Sequence, residues 1–321
     1  MDIPESTTLT GTEVQAVTGF AKRIGDNIAR AVQVRDEVLN NVLICLLAEG
    51  HVLVEDYPGV GKTALARALS RSLDCQFARV QCTADLLPAD IVGTNVYNQR
   101  EARFEFRPGP IMANIVLVDE INRASPKTQS GMLESMQERN VTVDVHTHEL
   151  ARPFMVFATQ NPVEYEGTYP LPEAQVDRFM ARLSMGYPSP DAESGMLAGH
   201  EGGDRVLELE AVVDTQEVLD AQDAARRVHA SKALRDYIVQ LLRRTREDER
   251  VELGASPRAG LMLLRAAKAH ALINGRDHAL PDDVQALADD VLSHRLMLIP
   301  EAAGSKRGDV VRDAVASTPA L

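Results

Sequence analysis

Six consecutive residues, Pro58-Gly59-Val60-Gly61-Lys62-Thr63, are of the types that can grip a phosphate chain. Glycines let backbone N–H groups turn inward on phosphate oxygens, and a helix opening at the lysine adds partial positive charge. The lysine neutralises the β- and γ-phosphates, and the threonine hydroxyl ligates Mg²⁺. Lys62 and Thr63 stand where the G-x-x-x-x-G-K-[ST] pattern requires them, whereas Asp56 replaces its first glycine. By itself the loop could also be a strand-to-helix turn with a solvated lysine. A second constellation narrows the choice. The apolar run Ile115-Val116-Leu117-Val118 ends in Asp119-Glu120, where the first carboxylate would hold an Mg²⁺-bound water and the second would polarise the attacking water. Such a pair after an apolar strand, downstream of a Gly-Lys-Thr helix, points to nucleotide hydrolysis. Third, the run from Phe154 to Thr159 delivers Asn161 at its tip, an amide that can orient water without adding charge.

Elements must position these groups. His51–Glu55 reads as a short strand, and the helix after the loop turns Leu65, Ala66, Leu69 and Leu73 to one side. Further strands are expected at Phe77–Gln81, Ile115–Asp119, Phe154–Thr159 and Phe179–Met185, several of them separated by helices, which is the pattern of a parallel α/β sheet. Ligands of such a sheet lie beyond the carboxyl ends of its strands, where Lys62, Asp119 and Asn161 would gather. Ser125 suits an N-cap and Pro126 the first position of the helix that follows. Val14, Val17, Ala21, Ile24 and Ile28 share one face of an earlier helix, Val38–Leu47 reads as a more buried one, and Val141, Val143 and Val145 alternate as in a hairpin arm. Near Tyr187-Pro188-Ser189-Pro190 the character changes to helices at Thr215–His229, Ser231–Arg246, Pro257–Asn274 and Pro281–Leu296, so a domain boundary is placed there. Residues 1–12 and the tail after Glu301 read as loose. The acidic pairs Asp282-Asp283 and Asp289-Asp290 read as solvated helix faces.

Composition excludes several classes. The chain has 321 residues, with 34 Lys or Arg against 47 Asp or Glu and a formal charge of −13, so it lacks the cationic excess that nonspecific nucleic-acid binding requires. Hydrophobic residues at 45% and charged residues at 25% are ordinary for globular proteins, and the length accommodates two domains. The first residues lack the basic and apolar regions of a secretory leader, and the apolar run Val42–Ala48 is too short to cross a bilayer. Cys45, Cys75 and Cys82 have no C-x-x-C spacing. A reducing, cytoplasmic setting is therefore expected.

With the three motifs in order, the chain resembles the AAA+ ATPases, and among them the MoxR group. Asp119-Glu120-Ile121-Asn122-Arg123-Ala124, Pro126-Lys127-Thr128-Gln129 and Leu133-Glu134-Ser135-Met136-Gln137-Glu138 carry the likeness. So do Phe106-Arg107-Pro108-Gly109-Pro110, the stretch Gly167 to Gln175, and Gly254-Ala255-Ser256-Pro257-Arg258-Ala259. Glu55-Asp56-x-Pro-Gly-x-Gly-Lys-Thr itself resembles the MoxR form of the loop, and the similarity runs from about Val14 to Arg295. The resemblance implies an AAA+ P-loop core with a parallel five-stranded sheet (residues 1–188), followed by a smaller α-helical lid (189–321). It implies ATP and Mg²⁺ bound by Pro58, Gly59, Val60, Gly61, Lys62, Thr63, Ala64 and Asp119, with Thr63 and Asp119 toward the metal and Glu120 as base. Asn161 corresponds to sensor 1 and Arg258 to the sensor-2 arginine reaching from the lid to the γ-phosphate. Arg178 matches the arginine offered to the neighbouring subunit's nucleotide, with a salt bridge to Asp177 as the alternative and Arg123 as a competitor for an interface role. Two hairpins, about 95–106 in helix 2 and about 141–150 before sensor 1, would share the face that engages substrate. His146 and His148 on the second lack a third metal ligand. A hexameric ring is implied, remodelling protein clients that carry von Willebrand factor A domains or depend on a metal ion. The ATPase subunit of a metal chelatase is the alternative.

Overall fold

In the computed structural model, which describes residues 9–57, 59–161, 167–187, 190, 205–302 and 304–320, the run Ile115–Val118 is wholly buried, as expected of a strand covered on both faces. The chain begins with α1 (Gly11–Ala29), α2 (Asp36–Leu47), β1 (Val52–Glu55), α3 (Lys62–Ser72) and β2 (Phe77–Gln81). A short α4 (Pro88–Val92) leads to the hairpin β3 (Gly93–Asn98) and β4 (Arg103–Pro108). Then come β5 (Ile115–Asp119), α5 (Pro126–Glu138), the hairpin β6 (Asn140–Val143) and β7 (His146–Glu149), β8 (Met155–Gln160), α6 (Glu173–Val176) and β9 (Ala181–Leu183). The helical part holds α7 (Thr215–Arg227), α8 (Lys232–Glu247), β10 (Val251–Leu253), α9 (Pro257–Ile273), α10 (Pro281–Leu292), β11 (Met297–Leu298) and α11 (Arg307–Ser317).

The expected five-stranded parallel sheet is present, in the order β2-β5-β8-β1-β9. Its register aligns the strand ends: Gln81 lies opposite Asp119, and Glu55 opposite Gln160. Polar side chains from separate strands are thereby delivered to one edge. The last strand is shorter than expected, because Phe179 and Met180 lie in a bend before Ala181. Ser125 caps α5, its hydroxyl accepting from the Thr128 N–H at 3.3 Å.

One apolar cluster runs from a face of the sheet through α1 and α2 into the lid helices, joining Ile24, Leu43 and Phe157 to Leu263, Leu292 and Val311. The helical part is therefore packed continuously onto the α/β part. Gln222 reinforces that seam by donating to the Leu46 carbonyl at 2.8 Å. A second cluster, including Val116, Val156, Leu133 and Met136, lies under α5 on the other face.

Both inserted hairpins form, each slightly displaced from its expected limits, at Gly93–Pro108 and Asn140–Glu149. Gly93 has φ 101°, and a Cβ there would meet the Arg107 carbonyl at 2.4 Å, so the base of the first hairpin requires a glycine. The Phe106 and His148 rings stack at 3.8 Å, and Asn95 donates to Asp144 at 2.6 Å, which ties the hairpins together. Among the described residues no group of three or more His, Cys, Asp or Glu could hold a metal ion.

Three expectations are corrected. The tail after Glu301 is not loose: α11 buries Val310 and Val311, and its first turn is capped by Asp309, which accepts from the Lys306 N–H at 3.1 Å. At the other end, residues 1–8 lie outside the described ones, but Leu9 is buried and Thr10 caps α1 in a reciprocal pair with Glu13. Of the acidic pairs only Asp282 and Asp289 are exposed. Asp283 is fully buried against Arg276 and His270, and Asp290 accepts from the Asn41 amide at 2.6 Å. Apolar positions on the same helix turns drew these two carboxylates inward. The boundary at Pro188-Ser189-Pro190 falls largely outside the described residues. No helix among the described residues is long and apolar enough to cross a membrane.

Candidate functional site

β1 ends at Glu55, and the chain turns over a loop whose Gly59 and Gly61 take φ values of 87° and 91°. Those left-handed angles suit glycine and allow Gly61 to cap α3, with the Leu65 N–H already donating to its carbonyl at 3.0 Å. The free N–H groups of the first turn of α3, with their partial positive charge, therefore open on the cleft. Lys62, the first residue of α3, donates to the Asp56 carbonyl at 2.9 Å. Its ammonium lies below the usual lysine range because of burial, opposed by the carboxylates of Asp56, Asp119 and Glu120.

Across the cleft, β5 presents Asp119, itself 8% exposed. One carboxylate oxygen accepts from the Thr159 hydroxyl at 2.9 Å, and the other binds the Arg79 guanidinium at 2.6 and 2.9 Å. Glu120 follows in a left-handed conformation, φ 55° and ψ 52°, a strained state for a residue with a Cβ that costs about 1–3 kcal/mol. Its N–H donates to the same Thr159 hydroxyl at 2.9 Å. One threonine hydroxyl thus positions the Asp119 carboxylate and the Glu120 backbone. The Glu120 side chain accepts from the Gln81 amide at 2.9 Å and pairs with Arg123 at 3.2 Å.

These groups line one cleft of about 410 Å³. Of the residues nominated from sequence, Gly59, Gly61, Lys62, Thr63, Ala64, Asp119, Glu120 and Asn161 are in its wall. Val60 is not, and Pro58 lies outside the described residues. Arg79, Gln81 and Thr159 also line it and were missed. Their only signal is position: Arg79 and Gln81 alternate on the polar face of β2 and end level with Asp119. An oxygen donor set of one hydroxyl and one carboxylate, beside a lysine and a helix N-terminus, is suited to a phosphate chain with a hard divalent cation.

Arg178 and Arg258 are not in that wall. Arg258, at the start of α9, donates to Gln137 at 3.2 Å and lies 3.9 Å from Asp177. Asp177 is held by Arg295 at 2.8 Å and by the Ser256 hydroxyl at 3.4 Å. Arg178 is half-buried beside it, and among the described residues its side chain has no ion pair with Asp177. Arg258 is thus tied to Gln137 and the Asp177 group, and neither arginine lines the cleft that holds the chain's own phosphate loop. Arg123 turns toward Glu120 of its own cleft. The thiols offer no nucleophile there: all three are free, and burial pushes Cys75 and Cys82 up to about 12.

Comparison with known proteins agrees with this geometry. Residues 51–181 match the family described as "ATPase family associated with various cellular activities (AAA)", and residues 243–314 match the AAA lid domain. A Bacillus subtilis protein named YeaC, itself uncharacterized, is 51% identical over 86% of this chain and 87% of its own length. Chaperone MoxR1 of Mycobacterium tuberculosis is 40% identical over 92% of this chain and 80% of its own. Protein MoxR of Methylorubrum extorquens is 32% identical over 92% of both. A crystal structure from Cytophaga hutchinsonii, of a protein assigned as an ATPase, superposes with a TM-score of 0.90 at 36% identity over 97% of each chain.

Proposed function

This chain belongs to the MoxR family of AAA+ ATPases, and on that premise we propose that it binds Mg²⁺–ATP in the cleft, hydrolyses it, and uses the cycle to remodel protein clients. The observation that carries the proposal is the facing of Lys62 and Thr63 by Asp119 and Glu120 across a single cleft. On this reading residues 1–188 form the nucleotide-binding domain and 189–321 the lid.

The glycine-loop amides and the first turn of α3 would wrap the phosphates, and Lys62 would exchange the Asp56 carbonyl for phosphate oxygens. Thr63 and Asp119 would hold Mg²⁺. Asp119 already carries a cation, Arg79, which supports its fitness for positive charge. The chemistry Mg²⁺ supplies when bound is withdrawal of charge from the phosphoryl oxygens. Glu120 would accept the proton of a water oriented by Asn161, its carboxylate held in place by Gln81 and Arg123. Arg178 and Arg258, lying off the cleft, would serve the nucleotide of a neighbouring copy, an arrangement that suits a ring; a hexamer is the assembly proposed, and the cytoplasm its setting. The tied hairpins, with Tyr97, Phe104 and Val145 exposed, would meet the client. One relative bears the name of a chaperone, which supports protein clients; those with von Willebrand factor A domains or a bound metal are the class proposed.

Glu120→Gln tests the assignment. It should leave ATP affinity unchanged and lower turnover at least about 100-fold; substantial hydrolysis by that variant would overturn Glu120 as the base. Proteins retained by Glu120→Gln in ATP, identified by mass spectrometry, would name the client class. Retention of a tetrapyrrole-dependent chelatase partner would favour the chelatase alternative.

A further inference from the structure

The sheet order gives the cleft a direction. Asp119 and Glu120 stand at the end of β5, Asn161 beyond β8 and the glycine loop beyond β1. A nucleotide whose terminal phosphate faces the carboxylates must therefore run the rest of its length toward the remaining strand on that side, β9. On that flank two tyrosines face each other. Tyr57, two residues before Gly59, and Tyr187, in the segment after β9, have ring centroids 5.9 Å apart and planes 17° from parallel. These residues are 45% and 70% exposed, so the offset stack leaves aromatic face open to solvent instead of filling a core.

The pair is held in place by buried chemistry. The Asp56 carboxylate accepts from the Tyr57 N–H at 3.0 Å, from the Ser184 hydroxyl at 3.2 Å and from the Gly186 N–H at 2.7 Å. One side chain, itself 5% exposed, thus fixes the backbone leading into both tyrosines. Arg35 fixes the same segment from the other side, donating to the Ser184 carbonyl at 2.7 Å and the Met185 carbonyl at 3.2 Å. This also accounts for an aspartate at the place of the pattern's first glycine. A glycine could turn the chain but could not join the phosphate loop to the segment after β9.

We propose that Tyr57 and Tyr187 form the base-stacking platform of the nucleotide site, the base lying as a third ring on the open face of the pair. The proposal rests on the nucleotide-binding reading above. Aromatic faces attract any base and do not read its edge, so the platform separates a nucleoside triphosphate from bare polyphosphate without selecting adenine over guanine.

Calorimetric titration with Mg²⁺–ATP and with Mg²⁺–tripolyphosphate, which has the phosphates but no base, tests it. The unaltered protein should bind ATP more tightly than tripolyphosphate. Tyr57→Leu and Tyr187→Leu, which keep apolar bulk without a π-face, should each weaken ATP binding about tenfold and leave tripolyphosphate binding unchanged. Tyr57→Phe and Tyr187→Phe should retain the affinity for ATP. Leucine variants that bind ATP like the unaltered protein would overturn the platform, as would equal weakening of both ligands, which would indicate a disturbed phosphate loop. An unaltered protein that binds neither ligand would overturn the nucleotide reading itself.

Discussion

Asp119 and Asp177 each hold an arginine, and the two pairs differ in what surrounds the cation. At the cleft, the Arg79 side chain is 50% exposed. Near the lid, the Arg295 side chain is 2% exposed and donates to Asp177 and to the Phe179, Met180 and Val291 carbonyls. An exposed pair contributes little to stability and can be exchanged cheaply, whereas a buried guanidinium is committed to its partners. The same residue types therefore make a replaceable counter-ion at one site and a fixed joint between the sheet and α10 at the other. Asp290 completes the series: a largely buried carboxylate whose direct partner is the Asn41 amide and not a guanidinium.

Breaking the fixed joint should have the largest effect. Arg295→Leu strips four carbonyls and the Asp177 carboxylate of their donor, and a loss of about 3–5 kcal/mol is expected in urea unfolding; a loss below about 1 kcal/mol would mean that burial does not commit this pair. Asp290→Asn should move stability the other way. Burial, with Asp289 and Glu37 close by and Arg182 and Arg35 opposing them, pushes the Asp290 carboxyl up to about 6. Its folded value therefore exceeds the unfolded value of about 4, so this group's contribution is full below pH about 4 and is lost as pH rises through about 6. The asparagine variant, which keeps an oxygen for Asn41, should gain about 1–2 kcal/mol at pH 7 and flatten the pH dependence between 4 and 6. Equal stability of both proteins at pH 5 and pH 7 would refute this. The smallest change is expected at the cleft. Arg79→Ala should alter stability by no more than about 0.5 kcal/mol, while the Mg²⁺ concentration giving half-maximal ATP binding falls a few-fold because a competing cation has been removed. Destabilisation above about 2 kcal/mol would place Arg79 with Arg295 and dissolve the contrast.

Much of the site was legible in one dimension. Lys62 and Thr63 follow their glycines, and Asp119 and Glu120 end an apolar run, because a loop and a strand tip present neighbouring residues by local geometry alone. β2 and β5 were bounded correctly from apolar runs and turn residues. Arg79 and Gln81 escaped notice because a polar alternation on a strand looks the same whether it faces solvent or the carboxylates of a cleft. α11 escaped notice because Val310 and Val311 gain their burial from the lid core and not from any strong pattern of their own. Asp283 and Asp290 read as solvated because their partners, Arg276, His270 and Asn41, come from other turns or another helix.

The amino-acid sequence by itself determined the glycine-loop and carboxylate motifs, the strands and helices that carry them, and membership of the family, since each depends on residues near one another along the chain. Only the tertiary structure decided which charges meet. Arg79 reaches Asp119 across 40 positions, Arg295 reaches Asp177 across 118, and Arg258 joins that second group instead of its own phosphate loop. Such pairings follow from strand register and from where the lid docks on the shared core, and those are settled by how apolar surfaces fit over the whole molecule.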